Sequence, residues 1–466
     1  MTPRSRRQML SQVACGFGSL ALAGLHAQQS VAAPRNPLAE QPAHHRPRAK
    51  RLIFIFMQGG PSQVDTYDPK SRLDREDGKQ AEFFNSRSRK ITSERVQKSP
   101  WRFAQHGESG RSVSELFPHM ARHVDDYCVI RSMHTEGVAH GPATLFLHTG
   151  ATNLIRPSMG SWLSYGLGTE NQNLPAFVTL HPPMSKGGPR NYSNSFLPTS
   201  HQGTAIGRAG VAVGNASIRH ITNDSQPLEA QRRQFAYLQA LNREQSGSEP
   251  DDELEAAIQS FELAFRMQRH APGILDLSRE SKETQQRYGI GNGPTNDFGR
   301  MCLMGRRMSE AGVRFVQINY ADNAATPRWD QHSNLKRHEQ HALATDQPVA
   351  ALLNDLKERG LLEDTLVWWG GEFGRTPFAQ GSDGRDHNPN GFSIWLAGGG
   401  IKPGIAYGET DDFGYHAVQD KVHMHDLHAT ILHLMGIDHE QLTYQFAGRP
   451  FRLTDVHGRV VNEIFA

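Results

Sequence analysis

Short runs of apolar, β-branched and aromatic residues recur along this chain, and glycine or polar residues bound each run. A continuous apolar run of this length predicts a strand that is buried on both faces, as in a parallel sheet. The runs are Arg51–Met57, Tyr127–Arg131, Ala176–Leu180, Val313–Asn319, the run from Thr365 that ends at the carboxylate of Glu372, and Phe392–Ala397. We expect them to form one central sheet.

Between these runs lie segments with apolar residues at helical spacing. The predicted helices are Ser112–His123, two charged helices within residues 225–271, Asp297–Glu310, a helix whose core face is Val349, Leu352, Leu353 and Leu356, and Asp426–Met435. Strands that alternate with helices predict an α/β fold, with a mostly parallel central sheet and helices on both faces. We therefore expect one α/β domain over residues 51–466, with insertions near residues 70–112 and 185–290.

Residues 1–33 have the pattern of a signal peptide. Arg6 and Arg7 precede a short apolar run, and small residues suited to cleavage follow it. The paired arginines resemble a twin-arginine signal, although an ordinary secretion signal has the same outline. The run is too short and too rich in glycine for a membrane anchor. We expect export to the periplasm or the extracellular space, no stable membrane span, and a flexible linker over residues 34–50.

The composition of the chain limits the classes of function that we expect. The formal net charge is +2 and 21% of the residues are charged, so no strong electrostatic field favours nucleic acid. Beyond the predicted signal peptide the chain has two cysteines, Cys128 and Cys302, both in apolar contexts. Two cysteines in so long a chain do not make a disulfide framework, so we expect buried free thiols.

Polar side chains cluster where the predicted strands end. The segments concerned are Gln58–Asp68, His134–Gly150, Trp329–His332 and Glu372–His387. In open α/β sheets this edge is where ligands bind, and carboxylates together with imidazoles suit a divalent metal ion. The alternative is that these residues only cap helices and form turns.

Several of these segments resemble those of sulfatases and alkaline phosphatases. The strand that ends at Glu372 is similar to the one that carries a metal-binding acid there, and His140–Gly150 resembles the sulfatase nucleophile helix, which also closes on Leu-x-Thr-Gly. Phe392–Gly404 and Asp426–Gly436 resemble a later strand and helix of that superfamily.

A narrower set of motifs identifies the chain, from about Arg51 onward, as a member of a sulfatase-like family known as the domain of unknown function number 1501. The motifs are Gly59-Gly-Pro-Ser, Asp65-Thr-Tyr-Asp-Pro-Lys70, Trp329-Asp-x-His332, Gly371-Glu-Phe-Gly-Arg-Thr-Pro377 and Gly384-Arg-Asp-His387. The resemblance implies the fold of the alkaline phosphatase superfamily.

The resemblance also implies metal ligands. Asp330 and His332 would form one pair, Glu372 and His387 would complete the shell, and Asp65 is either a further ligand or a turn residue. A mixed carboxylate and imidazole set suits Zn or Mn better than Ca, which prefers oxygen ligands alone. We expect a bound divalent metal ion, and the sequence leaves open whether the site holds one ion or two.

Two positions depart from the superfamily pattern. Phe373 stands where a second-metal ligand is usual, and His140 stands at the nucleophile position, with Thr144 at the arginine position. An imidazole can ligate a metal, act as a general base or form a phosphoryl intermediate, but it cannot become formylglycine. His134 is a further catalytic candidate, and Arg375 is a candidate for binding an oxyanion, for capping a helix or for an ion pair.

A string of histidines near the C-terminus either lines the site or only supplies polarity at a helix start. Its members are His416, His423, His425 and His428.

The function that these features favour is metal-assisted hydrolysis of a phosphate or sulfate ester by an exported protein. The substrate would be an anionic ester, which could be linked to carbohydrate. The alternative is a non-catalytic protein that has kept the fold as a metal- or anion-binding scaffold or as a carbohydrate-binding protein. The sequence does not fix the oligomeric state.

Overall fold

The computed structural model describes residues 38–85, 88–215, 226–245 and 252–466. The predicted signal peptide lies outside these residues. In the part of the chain that is described, no helix is both long enough and apolar enough to cross a membrane.

A nine-stranded sheet forms the centre of the molecule. Its main strands are β1 (Arg51–Met57), β6 (Tyr127–His134), β7 (Phe177–Leu180), β8 (Thr204–Ile206), β9 (Phe315–Tyr320), β10 (Thr365–Gly370) and β13 (Phe392–Ala397), and two short ones, β14 (Ala406–Tyr407) and β17 (Val422–His423), flank β6. The order is β14-β6-β13-β10-β1-β9-β7-β8, with β17 also paired to β6.

The sheet is mostly parallel. β1 runs parallel to β10 and β9, and β9, β7 and β8 continue the parallel pairing. β13 is the exception, since it is antiparallel to both β10 and β6. The carboxyl ends of β10, β1, β9 and β7 therefore meet at one edge, where the loops that carry the polar motifs begin.

The continuous apolar run of β1 has a direct structural reason. Alternate side chains point to opposite faces of a strand, and both faces of β1 are covered. Ile53, Ile55 and Met57 join one hydrophobic core, whereas Leu52, Phe54 and Phe56 join the other.

Helices cover both faces of the sheet. The long ones are α3 (His140–Thr149), α4 (Met159–Leu167), α5 (Leu228–Gln245), α6 (Asp252–Leu275), α8 (Asn296–Glu310), α9 (Arg337–Glu358) and α10 (Met424–Leu434), and the short ones are α1 (Gln63–Thr66), α2 (Ser71–Glu76) and α7 (Lys282–Arg287). α8 and α9 pack on one face, and α3, α4 and α10 pack on the other. The predicted α/β fold, with its mostly parallel sheet and helices on both faces, is confirmed.

Five two-stranded ribbons lie outside this layer structure. They are β2 (Gln80–Asn85) with β3 (Lys90–Arg95), β4 (Phe103–His106) with β5 (Arg111–Ser114), β11 (Gly374–Gln380) with β12 (Gly384–Asn388), β15 (Glu409–Thr410) with β16 (Ala417–Gln419), and β18 (Tyr444–Phe446) with β19 (Arg449–Phe451). The first two ribbons fill the predicted insertion near residues 70–112. The insertion near residues 185–290 holds β8, α5, α6 and α7.

The helix predicted over Ser112–His123 is wrong. The chain there first completes β5 at Ser114 and then forms a 3₁₀ helix over Met120–Asp126. Pro118 lies between the two, and a proline disfavours the helical conformation of the residue before it. The other predicted helices and the predicted strands lie within a few residues of the expected positions, whereas α4 and β8 are not predicted.

Residues 38–50 pack against the domain. Leu38 and Ala49 are each 1% exposed, and the Ala49 amide donates to the carbonyl of Leu434 at 2.9 Å. Cys128 and Cys302 are buried and unpaired, as predicted.

Candidate metal centre

Four side chains converge at the carboxyl edge of the sheet. One potential ligand atom from each lies within 4.8 Å of the others, and the residues are His140, Asp330, His332 and His387. They come from the start of α3, from the loop that follows β9 and from β12. Residues far apart in the chain therefore meet where parallel strands end.

Asp330 is the centre of this group. Its Oδ1 lies 2.7 Å from Nε2 of His332 and 3.3 Å from Nε2 of His387. Its Oδ2 lies 3.1 Å from Nε2 of His140. Burial alone would favour the neutral acid, but the contacts with the three histidines and with Arg375 hold the pKa of Asp330 well below its usual range.

Each histidine of the group has an acceptor at its other ring nitrogen. Nδ1 of His140 lies 2.6 Å from Oε1 of Glu372. Nδ1 of His387 lies 3.0 Å from the carbonyl oxygen of Val138, and Nδ1 of His332 contacts the amide oxygen of Gln380.

Because those partners are acceptors, Nδ1 of each ring can donate to them. This contact turns Nε2 of each ring toward Asp330, in the way that protein metal sites hold their histidine ligands. Nε2 of His140 is buried and, among the described residues, is not aligned for a hydrogen bond with any partner.

Three imidazole nitrogens and one carboxylate fit Zn or Mn better than Ca. The group therefore has the mixed carboxylate and imidazole ligands that the sequence leads us to expect. Nε2 of His140, which is buried and has no hydrogen bond within the described part of the chain, faces the other ligands.

Glu372 lies behind His140 and outside the group of four. It is fully buried, and both of its oxygens lie 3.1 Å from the backbone amide of Gly59, which donates to them. Gly59 has φ of 104° and sits where a Cβ would collide with the backbone of Asp330. The sharp turn after β1 therefore brings its amide to Glu372, and Glu372 orients His140.

Arg375 belongs to the centre, and each nitrogen of its guanidinium has a partner. Its Nη2 lies 2.7 Å from Oδ1 of Asp330 and also donates to the carbonyl of Gly59. Its Nε donates to the carbonyl of Gly60 at 3.1 Å and its Nη1 to that of Arg385 at 3.2 Å. Of the three roles that the sequence allows, the structure shows the ion pair, which Arg375 forms with Asp330.

The Asp65 side chain does not belong to the group of four ligands. It forms a two-pronged pair with Arg385, at 2.7 and 3.1 Å, and accepts a 2.5 Å hydrogen bond from Ser62. Both partners of the pair are completely buried. This pair ties α1 to β12, the strand that carries His387.

His134, His423 and His425 form a separate cluster. The rings of His134 and His423 are 4.9 Å apart, and that of His425 lies 5.3 Å from His423. Burial lowers the pKa of His134 to about 4 and that of His425 to about 3. These rings do not contribute to the group of four ligands, and His428 instead lies 2.8 Å from the carbonyl of Leu147.

Phe373 packs against the centre. Its ring lies 4.4 Å from that of His387 and 5.0 Å from that of His140. An apolar ring thus fills the position where the superfamily pattern has another ligand. Within the part of the chain that the structure describes, one group of ligands is found.

All members of the group, and also Glu372, are candidates that the sequence predicts, whereas Val138 and Gln380 are not. A backbone carbonyl leaves no mark in a sequence, and Gln380 ends β11 without any motif. The only sequence feature that indicates Gln380 is its position in β11, which connects the motif of Glu372 to that of His387.

The chain matches the family model described as "Protein of unknown function (DUF1501)" over residues 49–465. The match covers most of the chain, so the protein belongs to this family, as the motifs predict. No curated protein matches the chain.

The chain is similar to several solved structures. A protein in the alkaline phosphatase superfamily from Vibrio parahaemolyticus is 9% identical, with a TM-score of 0.37 over 89% of this chain and 72% of that one. PsFucS1 sulfatase from Pseudoalteromonas sp. is 11% identical, with a TM-score of 0.34 over 94% and 73%. The phosphonate monoester hydrolase SpPMH from Silicibacter pomeroyi is 13% identical, with a TM-score of 0.31 over 75% and 71%. At these TM-scores the likeness carries no argument about activity.

Proposed function

We propose that this member of the DUF1501 family is an exported hydrolase of phosphate or sulfate esters that works with one divalent metal ion. The observation that carries the proposal is the arrangement of the three histidines, each with Nδ1 bound to an acceptor and Nε2 turned toward Asp330. The three rings thereby present Nε2 to one point, which is the arrangement that a metal ion requires of its histidine ligands.

The ligands of the ion would be Asp330, His332, His387 and His140. When bound, such an ion supplies a Lewis acid for an ester oxygen and lowers the pKa of an attacking water. The chain's own groups hold this set in place. Glu372 fixes the ring of His140 by accepting from Nδ1, and Arg375 fixes the carboxylate of Asp330.

The reaction proposed is direct hydrolysis. The residue at the start of α3 is His140, held between two carboxylates, so this position offers no hydroxyl or thiol to form an ester intermediate. Water splits one ester bond: a monoester yields the alcohol and inorganic phosphate or sulfate, and a phosphate diester yields the alcohol and the phosphate monoester. Zn or Mn is the proposed ion because of the imidazole-rich ligand set.

A second candidate is a metal-binding protein without hydrolytic activity. The observation that favours it is the state of Arg375, whose guanidinium is bound to Asp330 and to backbone carbonyls and is fully buried. A cation that already has these partners is not available to a substrate oxyanion.

One experiment separates the two candidates. The purified protein is loaded with Zn or Mn, its metal content is measured, and it is assayed on p-nitrophenyl phosphate, bis(p-nitrophenyl) phosphate and p-nitrophenyl sulfate. The hydrolase proposal expects one ion per chain and turnover of at least one ester. His387→Ala should lose both, while His425→Ala, a buried histidine outside the group, should keep both.

A fully loaded wild-type protein without turnover on any of these esters would refute the hydrolase and leave the metal-binding protein. Equal metal content in wild type and His387→Ala would refute both. The proposed export is supported by the Arg6 and Arg7 pair ahead of the apolar run. An exported hydrolase would meet its substrate outside the cytoplasm.

A further inference from the structure

A two-stranded ribbon, β2 with β3, lies beside the metal centre. Asn85, the last residue of β2, lines the same small cavity as Asp386 and His387. The hydroxyl of Tyr415, which also lines this cavity, donates to the carbonyl of Phe84 at 2.8 Å. The tip of the ribbon, where β2 turns back into β3, is therefore adjacent to the proposed site.

The two faces of the ribbon have different surroundings. On the inner face, Phe83 is 5% exposed and its ring lies 4.8 Å from that of Phe378. On the outer face, Phe84 lies directly opposite Ile91, and these two residues are 48% and 69% exposed. Successive side chains of a strand point to opposite faces, so the packing of Phe83 leaves the side chains of Phe84 and Ile91 in solvent.

A single exposed apolar side chain is ordinary on a protein surface. Phe84 and Ile91 are instead a cross-strand pair, and residues that lie opposite each other on one face of an antiparallel ribbon contact one another. They therefore form one apolar patch at the tip of the ribbon.

Positive charge accompanies this patch. Arg89 and Lys90 stand where the chain enters β3, and both are exposed. Residues 85–91 contain three basic residues and no acidic one. The acids of the ribbon, Glu82 and Glu94, lie further from the tip, opposite Ser93 and Ala81. The tip thus combines an apolar patch with an excess of positive charge.

We propose that the tip of this ribbon docks on an anionic lipid surface. Phe84 and Ile91 would enter the boundary between headgroups and acyl chains, and Arg89 and Lys90 would lie among the headgroups. Apolar side chains flanked by cations are the combination by which proteins bind the membrane interface. A soluble polyanion would pair with the cations but would leave the two apolar side chains in water.

Docking in this way would bring the metal centre close to the headgroups. Asn85 belongs both to the tip and to the cavity that His387 lines, so a surface that meets the tip also lies near the ligands. That a phosphate ester of a lipid headgroup is the substrate rests on the proposed hydrolase function. That the ribbon binds the lipid surface does not.

The test is cosedimentation of the purified protein, in EDTA, with vesicles of phosphatidylcholine alone and with vesicles of an equal mixture of phosphatidylcholine and phosphatidylglycerol. The apolar variants are Phe84→Ser and Ile91→Ser. Ile155→Ser is the matched control, because Ile155 is 64% exposed in the loop before α4. Wild type and variants share the apolar run near the N-terminus, so the differences between them report on the ribbon.

Wild type should bind the mixed vesicles, and Ile155→Ser should bind them equally well. Phe84→Ser and Ile91→Ser should each weaken binding about tenfold, because each removes an apolar side chain from the lipid. Arg89→Gln and Lys90→Gln should each weaken binding to the mixed vesicles about fivefold. Added salt should also weaken binding by wild type, because it screens the same attraction.

A tryptophan placed in the ribbon locates the contact. All six native tryptophans are buried, so a brominated lipid, which quenches fluorescence by contact, does not reach them. The fluorescence that Phe84→Trp adds should be quenched by mixed vesicles that contain brominated lipid. The control is Phe261→Trp, at a position of α6 that is 71% exposed, and its fluorescence should not be quenched.

The inference is overturned if wild type does not bind the mixed vesicles, if the ribbon variants bind as tightly as Ile155→Ser, or if Phe84→Trp is not quenched. Binding to dextran sulfate but not to vesicles, lost in Arg89→Gln and unchanged in Phe84→Ser, would overturn it in favour of a soluble polyanion. No turnover is measured in these experiments, so failure of the hydrolase proposal would not change their results. Turnover of nitrophenyl esters without binding to vesicles would refute the docking surface alone.

Discussion

Glu372 accepts a 2.6 Å hydrogen bond from Nδ1 of His140 and lies on the far side of that ring from Asp330. The Glu372 carboxylate, just after β10, therefore acts on the proposed metal through an imidazole. This makes Glu372 a positioning residue for the centre, with the amide of Gly59 holding it in turn.

The first prediction concerns this carboxylate. Glu372→Gln removes the charge that fixes the His140 ring, and the loss of such a partner typically weakens metal binding by about 10- to 100-fold. We expect the Zn dissociation constant, measured by competition with a chromogenic chelator, to rise by that factor. Glu339→Gln is the control, because Glu339 accepts from Trp101 away from the centre. Unchanged affinity in Glu372→Gln would contradict the assignment.

The second prediction concerns pH. The contact with Asp330 raises the pKa of His332. Burial opposes protonation of His140, but Asp330 and Glu372 outweigh it and raise the pKa of this ring too. A raised pKa stabilises the fold fully below the unfolded value, about 6.5 for histidine, and that contribution is lost as pH rises through the folded pKa.

We therefore expect the melting temperature of the metal-free protein to fall as pH rises above about 6.5. Zn affinity should rise over the same range, because fewer protons must leave the ligands. Thermal melts in EDTA and Zn titrations across this range measure both trends. Asp330→Asn removes the carboxylate that raises the pKa values of His140 and His332. The melting temperature of this variant should therefore depend less on pH. A melting temperature that rises with pH in EDTA would oppose this account.

The sequence predicts the ligand residues of the centre better than it predicts the acceptors that orient the histidine rings. Asp330, His332 and His387 stand in short motifs beside strand ends, and the strands themselves are marked by apolar runs. The acceptors that orient the rings come from distant parts of the chain. Val138 contacts a residue 249 positions away, and such a contact exists only once the sheet has brought both loops together.

A contact between residues far apart in the chain also explains why Asp65 does not join the group of ligands. Its motif carries an acid at an appropriate distance after β1, but the buried guanidinium of Arg385 lies closer and binds both of its oxygens. The sequence alone does not show whether Asp65 binds a metal ion or Arg385, because Arg385 is 320 residues away.

The third prediction tests the role of Asp65. Asp65→Asn leaves Arg385 buried without its counter-charge, which typically costs about 3–5 kcal/mol. We expect urea unfolding to show a loss of this size, while the folded protein keeps its full metal content by elemental analysis. Loss of metal with unchanged stability would instead make Asp65 a ligand.

The fourth prediction concerns export. Replacing Arg6 and Arg7 together by lysine should leave the precursor in the cytoplasm if the signal is of the twin-arginine type. Fractionation of cells that produce each form, followed by immunoblotting, measures the distribution. Unimpaired export of the double variant would exclude the twin-arginine route and leave an ordinary secretion signal.

The last prediction separates the two roles open to His140. If Nε2 of His140 is a metal ligand, His140→Ala should lower metal content and ester turnover together. If the ring is instead a general base, metal content should stay at one ion per chain while turnover falls by about 100- to 10,000-fold, the usual worth of such a base. Elemental analysis and the nitrophenyl ester assays on the same preparation give both readings.

The geometry favours the first outcome. Nδ1 is bound to Glu372 and Nε2 faces the carboxylate around which the other ligands gather, so the ring has no nitrogen left for a substrate or a water. The fold should survive the change, and thermal melting in EDTA checks that it does. His148→Ala, another buried histidine of α3 whose ring contacts Gln317, is the matched control for packing. A folded His140→Ala protein that kept both full metal content and full turnover would remove His140 from the centre altogether.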